Sequence, residues 1–264
     1  MSDKIRLHTI DEKNNVIIDR GELVSFTVDS IEIMHQKGDP GWGNTEIEMF
    51  PIIGATKDNE FSIQTPKGNA KLDQHGILRA IEYSLKEKSD NKASFYKKYK
   101  ANTLISNPKF PKKSMQQWLD WPYDFEFIKT FELSEKGLKI TFEIRCEEDM
   151  PLMLGFHPAF KVYNQEAILV TNKKEIVITD ILEAGASAYL LDKCKEITLK
   201  NNGDIRLTIT TNGFRHIMLW TEVTNMICIE PITFYPSSVV ASELYTGFDS
   251  ASDYDKFEVI ISPS

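Results

Sequence analysis

The sequence predicts an all-β protein, a large antiparallel β-sandwich. Three observations predict it: apolar and polar residues alternate in many segments, turn residues separate those segments, and helical periodicity is scarce. The clearest strand runs through Leu138, Ile140, Phe142, Ile144 and Cys146, with Lys139, Thr141, Glu143 and Arg145 on the other side. Successive side chains of an extended chain project to opposite faces, so this pattern buries one face and wets the other. The alternation recurs over residues 23–28, from Phe125 and Phe127 onward, and at Ile205, Leu207 and Ile209. Shorter β-type runs cover residues 5–10, 80–85, 168–171, 176–179, 217–220 and 257–261.

Turn signals fall between these runs, at residues 37–41, at 201–204 (Asn-Asn-Gly-Asp) and at Asn212-Gly213. Two segments are expected to be helical: one or two turns within 112–121, ending before Pro122, and another within 237–244. There is no βαβ rhythm, no glycine-rich phosphate loop and no internal repeat, so nucleotide-dependent chemistry lacks its usual supports. No Pro-, Gly- or Ser-rich linker interrupts the strands, and one domain is expected over residues 1–264.

Composition narrows the partners. Hydrophobic residues at 41% and charged residues at 27% are those of an ordinary globular chain. The net charge of −8 argues against nucleic acid, which requires a concentrated basic face. The basic stretch 97–113 reads as a solvated loop. No apolar run is long enough to cross a membrane, and residues 1–6 contain no apolar signal core. Cys146, Cys194 and Cys228 are odd in number and far apart, which fits buried reduced thiols; a cytoplasmic monomer or homodimer is expected.

Three residues stand out for chemistry. His75 lies in Asp73-Gln74-His75-Gly76 and His157 in Gly155-Phe156-His157-Pro158, where the proline biases the histidine toward extended backbone. Glu230 ends an apolar run, Met226-Ile227-Cys228-Ile229-Glu230-Pro231, and a carboxylate desolvated at a cleft mouth can have its pKa raised toward a general base's range. Taken alone, each histidine reads as a hydrogen-bonded structural or surface residue, and Glu230 could equally pair with a Lys or Arg. No metal is expected, since no histidine pair has helical zinc spacing and no Cys-x-x-Cys occurs. No Gly-x-Ser-x-Gly elbow is present, and no pair of carboxylates stands out for glycoside hydrolysis.

In order along the chain, Gly21-Glu22-Leu23-Val24-Ser25-Phe26, Trp42, Met49-Phe50-Pro51-Ile52-Ile53-Gly54, Gln74-His75-Gly76 with Arg79, Gly155-Phe156-His157-Pro158-Ala159-Phe160 and Cys228-Ile229-Glu230-Pro231 together resemble the aldose 1-epimerase (galactose mutarotase) superfamily, LacX-like branch. The resemblance implies a galactose mutarotase-like supersandwich that interconverts the α and β anomers of an aldose without a cofactor. It implies that Glu230 takes the C1 hydroxyl proton, His157 protonates the ring oxygen and His75 assists. It implies Arg79 for hydroxyl or phosphate contacts, with Trp42, Phe156 and Phe160 as candidates to cover the sugar. A hexose 6-phosphate substrate and a catalytically silent sugar-binding or sensing protein are the alternatives. The chain departs from the branch pattern at Ala55, where an arginine is usual, at Ile232, where an aromatic is usual, and at Glu46 and Glu48, in a stretch that is usually more apolar.

Overall fold

The computed structural model describes residues 4–164, 166–201 and 205–264. The expected turn at 202–204 therefore lies outside the described residues, as do residues 1–3 and the side chain of Ile205.

Two antiparallel sheets carry the architecture. In spatial order, the nine-stranded sheet runs Glu175–Val177, Ile168–Val170, Glu196–Asn201, Ile205–Asn212, Tyr254–Pro263, Gly137–Cys146, Phe125–Ser134, Lys92–Tyr99, Ser84–Lys88. The five-stranded sheet runs Tyr189–Leu191, His216–Trp220, Met226–Ile232, Gly155–Lys161, Glu46–Met49. A further four-stranded meander, Lys4–His8 to Ile31–Glu32, precedes them. The alternation at 138–146 is realised as expected: Leu138, Ile140, Phe142 and Ile144 are buried.

The inner faces of the two large sheets share one apolar core. Phe142 of the nine-stranded sheet meets Phe156 of the five-stranded sheet at 5.1 Å between ring centroids. Phe50 meets Phe127 at 5.5 Å. Truncating a ring as enclosed as these to alanine costs about 3–5 kcal/mol through lost burial and the cavity left behind.

One charged cluster interrupts that core. Lys129 is fully buried beside the rings of Tyr83, Phe131 and Phe156, and its ammonium bridges Glu46 and Glu48 of the facing sheet, reaching Glu48 Oε1 at 2.5 Å. Glu46 also accepts the Leu23 amide at 2.8 Å. Burial pushes Glu46 up to about 7. Burial acts on Glu48 in the same sense, but the ammoniums of Lys129 and Lys97 outweigh it and hold Glu48 below the usual range. The acidic departures at Glu46 and Glu48 are thus matched by a lysine on the opposite layer.

Several local expectations are corrected. Residues 112–121 form no helix: Asn107 captures the Gln116 and Gln117 carbonyls, and Trp118–Leu119 pairs with Ile105–Ser106 as a short ribbon. The 176–179 run ends as strand at Val177 and continues as an α-helix, Ile178–Ala184, whose first turn is capped by Asp180 accepting the Val177 amide. The 80–85 run is instead a 3-10 turn, Leu78–Ala80, and a strand that begins at Ser84. Lys97, expected in a solvated loop, is buried on the Lys92–Tyr99 strand, where its ammonium donates to the Leu78 carbonyl and sits over the Tyr83 ring. The helix expected within 237–244 is two 3-10 helices, Pro236–Ser238 and Ala241–Gly247, separated by Val239 and Val240 in extended backbone. No helix of the described residues is long and apolar enough to cross a membrane.

Candidate active site

The outer face of the five-stranded sheet floors a cleft of about 1010 Å³. Register decides which side chains reach it. Gly155 pairs with Ile232 and Ala159 with Cys228, which brackets His157 opposite Glu230. Met218 pairs with Glu230 and Ile47 with His157, so these four side chains share one face. Pro158, inside this strand, has no amide to give to the ladder, and the pairing is loosened where the two polar groups meet.

His157 Nε2 lies 3.3 Å from Glu230 Oε1, and both residues are nearly enclosed, at 8% and 1% exposure. The contact is not aligned as a hydrogen bond, so both Glu230 oxygens and His157 Nδ1 lack partners among the described residues. Burial pushes the Glu230 carboxyl well above its ordinary range. Burial, with a smaller push from the Arg79 charge, drives His157 down to about 3. Burial thus biases Glu230 toward its protonated form and His157 toward its neutral form, and a pair in those states holds one transferable proton.

Trp42 stacks on the His157 ring at 4.3 Å between centroids and 23° between planes, and Trp220 stands edge-on to it at 5.9 Å. The imidazole is held between two indoles. Both aromatics line the cleft and offer flat apolar surface beside polar groups.

His75 comes from a tight turn. Its backbone has φ +68°, and Gly76 follows at +81°, where an added Cβ would lie 2.2 Å from the Phe50 carbonyl oxygen. Only glycine fits there. The Gly54 amide donates to His75 Nδ1 at 3.2 Å, which leaves Nε2 as the protonated, donating nitrogen. Burial, together with Arg79, His157 and Lys109, keeps this ring neutral, well below its ordinary pKa. The His75 and His157 rings are 6.3 Å apart.

Arg79 lines the same cleft and has no carboxylate within ion-pair reach among the described residues. Lys109 and Lys113 join it there, Lys109 being 3.6 Å from Asp73. Ala55 sits exposed on the cleft wall.

The structure thus brings together His75, His157, Glu230, Arg79 and Trp42. It does not bring Phe156 and Phe160 to the cleft. Both are fully buried on the inner face, because on a strand the neighbour of a cleft-facing His157 must point the other way. Sequence reasoning missed Trp220, Lys109 and Lys113. Trp220 was within reach, since it lies two residues from Met218 and opposite Cys228 on the Glu230 strand. The lysines were not, because a loop places them.

The two large antiparallel sheets packed on one core are the sandwich of the galactose mutarotase-like fold class. The sequence profile for aldose 1-epimerase matches residues 49–183, and the chain belongs to that family, on its LacX-like side. Protein LacX of Lactococcus lactis subsp. lactis, in its chromosomal and plasmid forms, is 26% identical over 148 residues, which are 53% of this chain and 44% of the relative. The match therefore spans less than half the length of these curated relatives. Among solved structures, a galactose mutarotase-like protein from Lactobacillus casei ATCC 334 superposes with a TM-score of 0.79 at 19% identity, covering 99% of this chain and 100% of that one. A galactose mutarotase related enzyme from Lactobacillus acidophilus gives 0.76 at 17% identity, covering 98% and 97%. These likenesses bear on fold alone.

Proposed function

We propose that the chain is an aldose 1-epimerase that exchanges sugar anomers by acid/base ring opening. The observation that carries this reading is the 3.3 Å pairing of His157 and Glu230 on the floor of the cleft, with His75 beside them as a neutral donor. Anomer exchange removes a proton from the C1 hydroxyl and delivers one to the ring oxygen, then reverses both steps after rotation about C1–C2. A pair that holds one proton between two sites matches that demand, because its proton count is the same before and after each half-reaction.

Glu230 takes the C1 proton and His157 protonates the ring oxygen. For that assignment the Glu230 proton passes to His157 once sugar is bound. Sugar hydroxyls supply the hydrogen bonds that both Glu230 oxygens lack within the protein, and such bonds favour the carboxylate form. His75 Nε2–H steadies the ring oxygen or a neighbouring hydroxyl. The indoles of Trp42 and Trp220 cover apolar sugar faces.

A specific observation favours a phosphorylated aldose within the same reading. Arg79, without a carboxylate partner, faces the cleft with Lys109 and Lys113, and its field reaches both histidines. An arginine fork suits phosphate better than it suits a neutral hydroxyl. Exchange NMR on freshly dissolved glucose, galactose and their 6-phosphates tests both points. Accelerated exchange, fastest for a 6-phosphate, is expected; saturable binding without acceleration on any sugar would replace the enzyme with a sugar-binding or sensing protein.

A further inference from the structure

Cys228 has no part in the proton exchange, yet it stands beside the pair. It lies two residues before Glu230 on the Met226–Ile232 strand and pairs in register with Ala159, two residues past His157. All three side chains are on the cleft side of the sheet. One ring nitrogen of His157, Cys228 Sγ and one Glu230 oxygen lie within 4.8 Å of one another, and all three residues are buried. The small Ala159 opposite the thiol puts no bulky group between Cys228 and the other two.

Zinc binds nitrogen and oxygen at about 2.0–2.2 Å and sulfur at about 2.3 Å, so a tetrahedral site holds its donors roughly 3.3–3.8 Å apart. His157 Nε2 and Glu230 Oε1 already meet at 3.3 Å. From a separation within 4.8 Å, the thiol has to close by at most about 1.5 Å to reach that range. An independent observation points the same way: both Glu230 oxygens are enclosed without a hydrogen-bond partner among the described residues. Three protein donors leave the fourth position toward the cleft, as in open zinc sites. Thiolate with imidazole selects a zinc-class ion over magnesium or calcium, which prefer all-oxygen ligands.

We propose that His157, Cys228 and Glu230 form a site for a soft divalent cation, of which Zn²⁺ is the type, and that its occupation blocks the cleft chemistry. Binding converts the Cys228 thiol to thiolate and the Glu230 carboxyl to carboxylate, releasing two protons, with no change of oxidation state. The metal then occupies the lone pairs that would exchange protons with a sugar. His157 Nδ1 has no acceptor to brace the ring, so the ion exchanges readily rather than staying as a structural metal. The binding stands apart from the epimerase reading; only the block of turnover rests on it.

Titration of the purified chain with Co²⁺, followed by optical absorption without sugar, tests the site. One equivalent should give tetrahedral cobalt intensity and a thiolate-to-cobalt charge-transfer band, displaced by Zn²⁺ and unaffected by Mg²⁺. Cys228→Ser should remove the band, and Glu230→Gln should weaken Zn²⁺ binding beyond the roughly 10- to 100-fold that loss of an outer-shell partner costs. Cys146→Ser and Cys194→Ser should keep the band. No thiolate band in the natural chain, or a band that survives Cys228→Ser, overturns the proposal. Where anomer exchange is measurable, saturating Zn²⁺ should stop it and chelation restore it; the cobalt spectrum decides the site whether or not any sugar turns over.

Discussion

The His157 ring is fixed on one face by Trp42, stacked at 4.3 Å, while its Nε2 lies 3.3 Å from Glu230 Oε1. Neither contact consumes a proton, so the imidazole is oriented but chemically free. The pH dependence of turnover follows from this. With His157 pushed down to about 3 and Glu230 raised, the one-proton state of the pair extends from near His157's depressed value up to Glu230's raised one. The kcat/KM profile should have no acid limb at pH 6.5, fall in acid only near His157's depressed value, and fall toward alkali, above the ordinary carboxylate range, as Glu230 loses its proton. An acid limb centred near 6.5 would show that His157 titrates as an ordinary histidine.

Glu230 should cost the fold stability at neutral pH. Its folded pKa is raised, so above the unfolded carboxylate's value the unfolded state ionises while the folded state does not, and stability falls as pH rises between the two pKa values. Glu230→Gln removes that penalty. Its melting temperature at pH 7 should rise, by about 2–4 °C per kcal/mol recovered for a chain of this size, with the gap to the natural chain closing below about pH 4.5. A gap independent of pH would place the effect in packing instead.

The Lys129 cluster should matter for stability in a particular way. Lys129→Met leaves Glu46 and Glu48 facing each other without their shared cation, and denaturant unfolding should show a loss of about 3–5 kcal/mol. Replacing all three by apolar residues of similar size should recover most of it, since a buried ion network is expensive to break but not inherently stabilising. Equal losses in the single and triple variants would contradict this account.

Arg79→Gln should separate phosphorylated from neutral substrates. Loss of a charge-assisted contact is worth about 1.5–3 kcal/mol, so kcat/KM for a hexose 6-phosphate should fall about tenfold or more, with a smaller loss for the free hexose. Ala55→Arg, which adds a cation to the cleft wall, should change the ratio the other way by about two- to fivefold. Equal effects on both substrates would remove Arg79 from phosphate recognition.

Much of this was legible in alternation. The 138–146 strand and the 125–134 strand could be read directly, and the order of the His75, His157 and Glu230 motifs pointed to one site. The same rule, applied strictly, would have excluded Phe156 from the cleft, since a strand cannot aim adjacent residues at one face. It would also have flagged Lys129, a cation set in register with Phe127, Phe131 and Leu133. What alternation cannot supply is pairing between distant segments. Lys129 meets Glu46 and Glu48 some eighty residues away, and Lys109 and Lys113 reach the cleft from a loop held by Asn107. The Ile178–Ala184 helix was hidden by β-branched residues, whose strand preference gave way to a capped turn packed against the Tyr189–Leu191 and His216–Trp220 strands.

The most direct test of the epimerase reading is the rate of anomer exchange, by exchange NMR, in glucose, galactose and their 6-phosphates with the natural chain and with Glu230→Gln at equal concentration. Acceleration by the natural chain on at least one sugar, with most of that rate lost in a folded Glu230→Gln, is the predicted result. Acceleration fully retained by Glu230→Gln would contradict the assignment of Glu230 as the base.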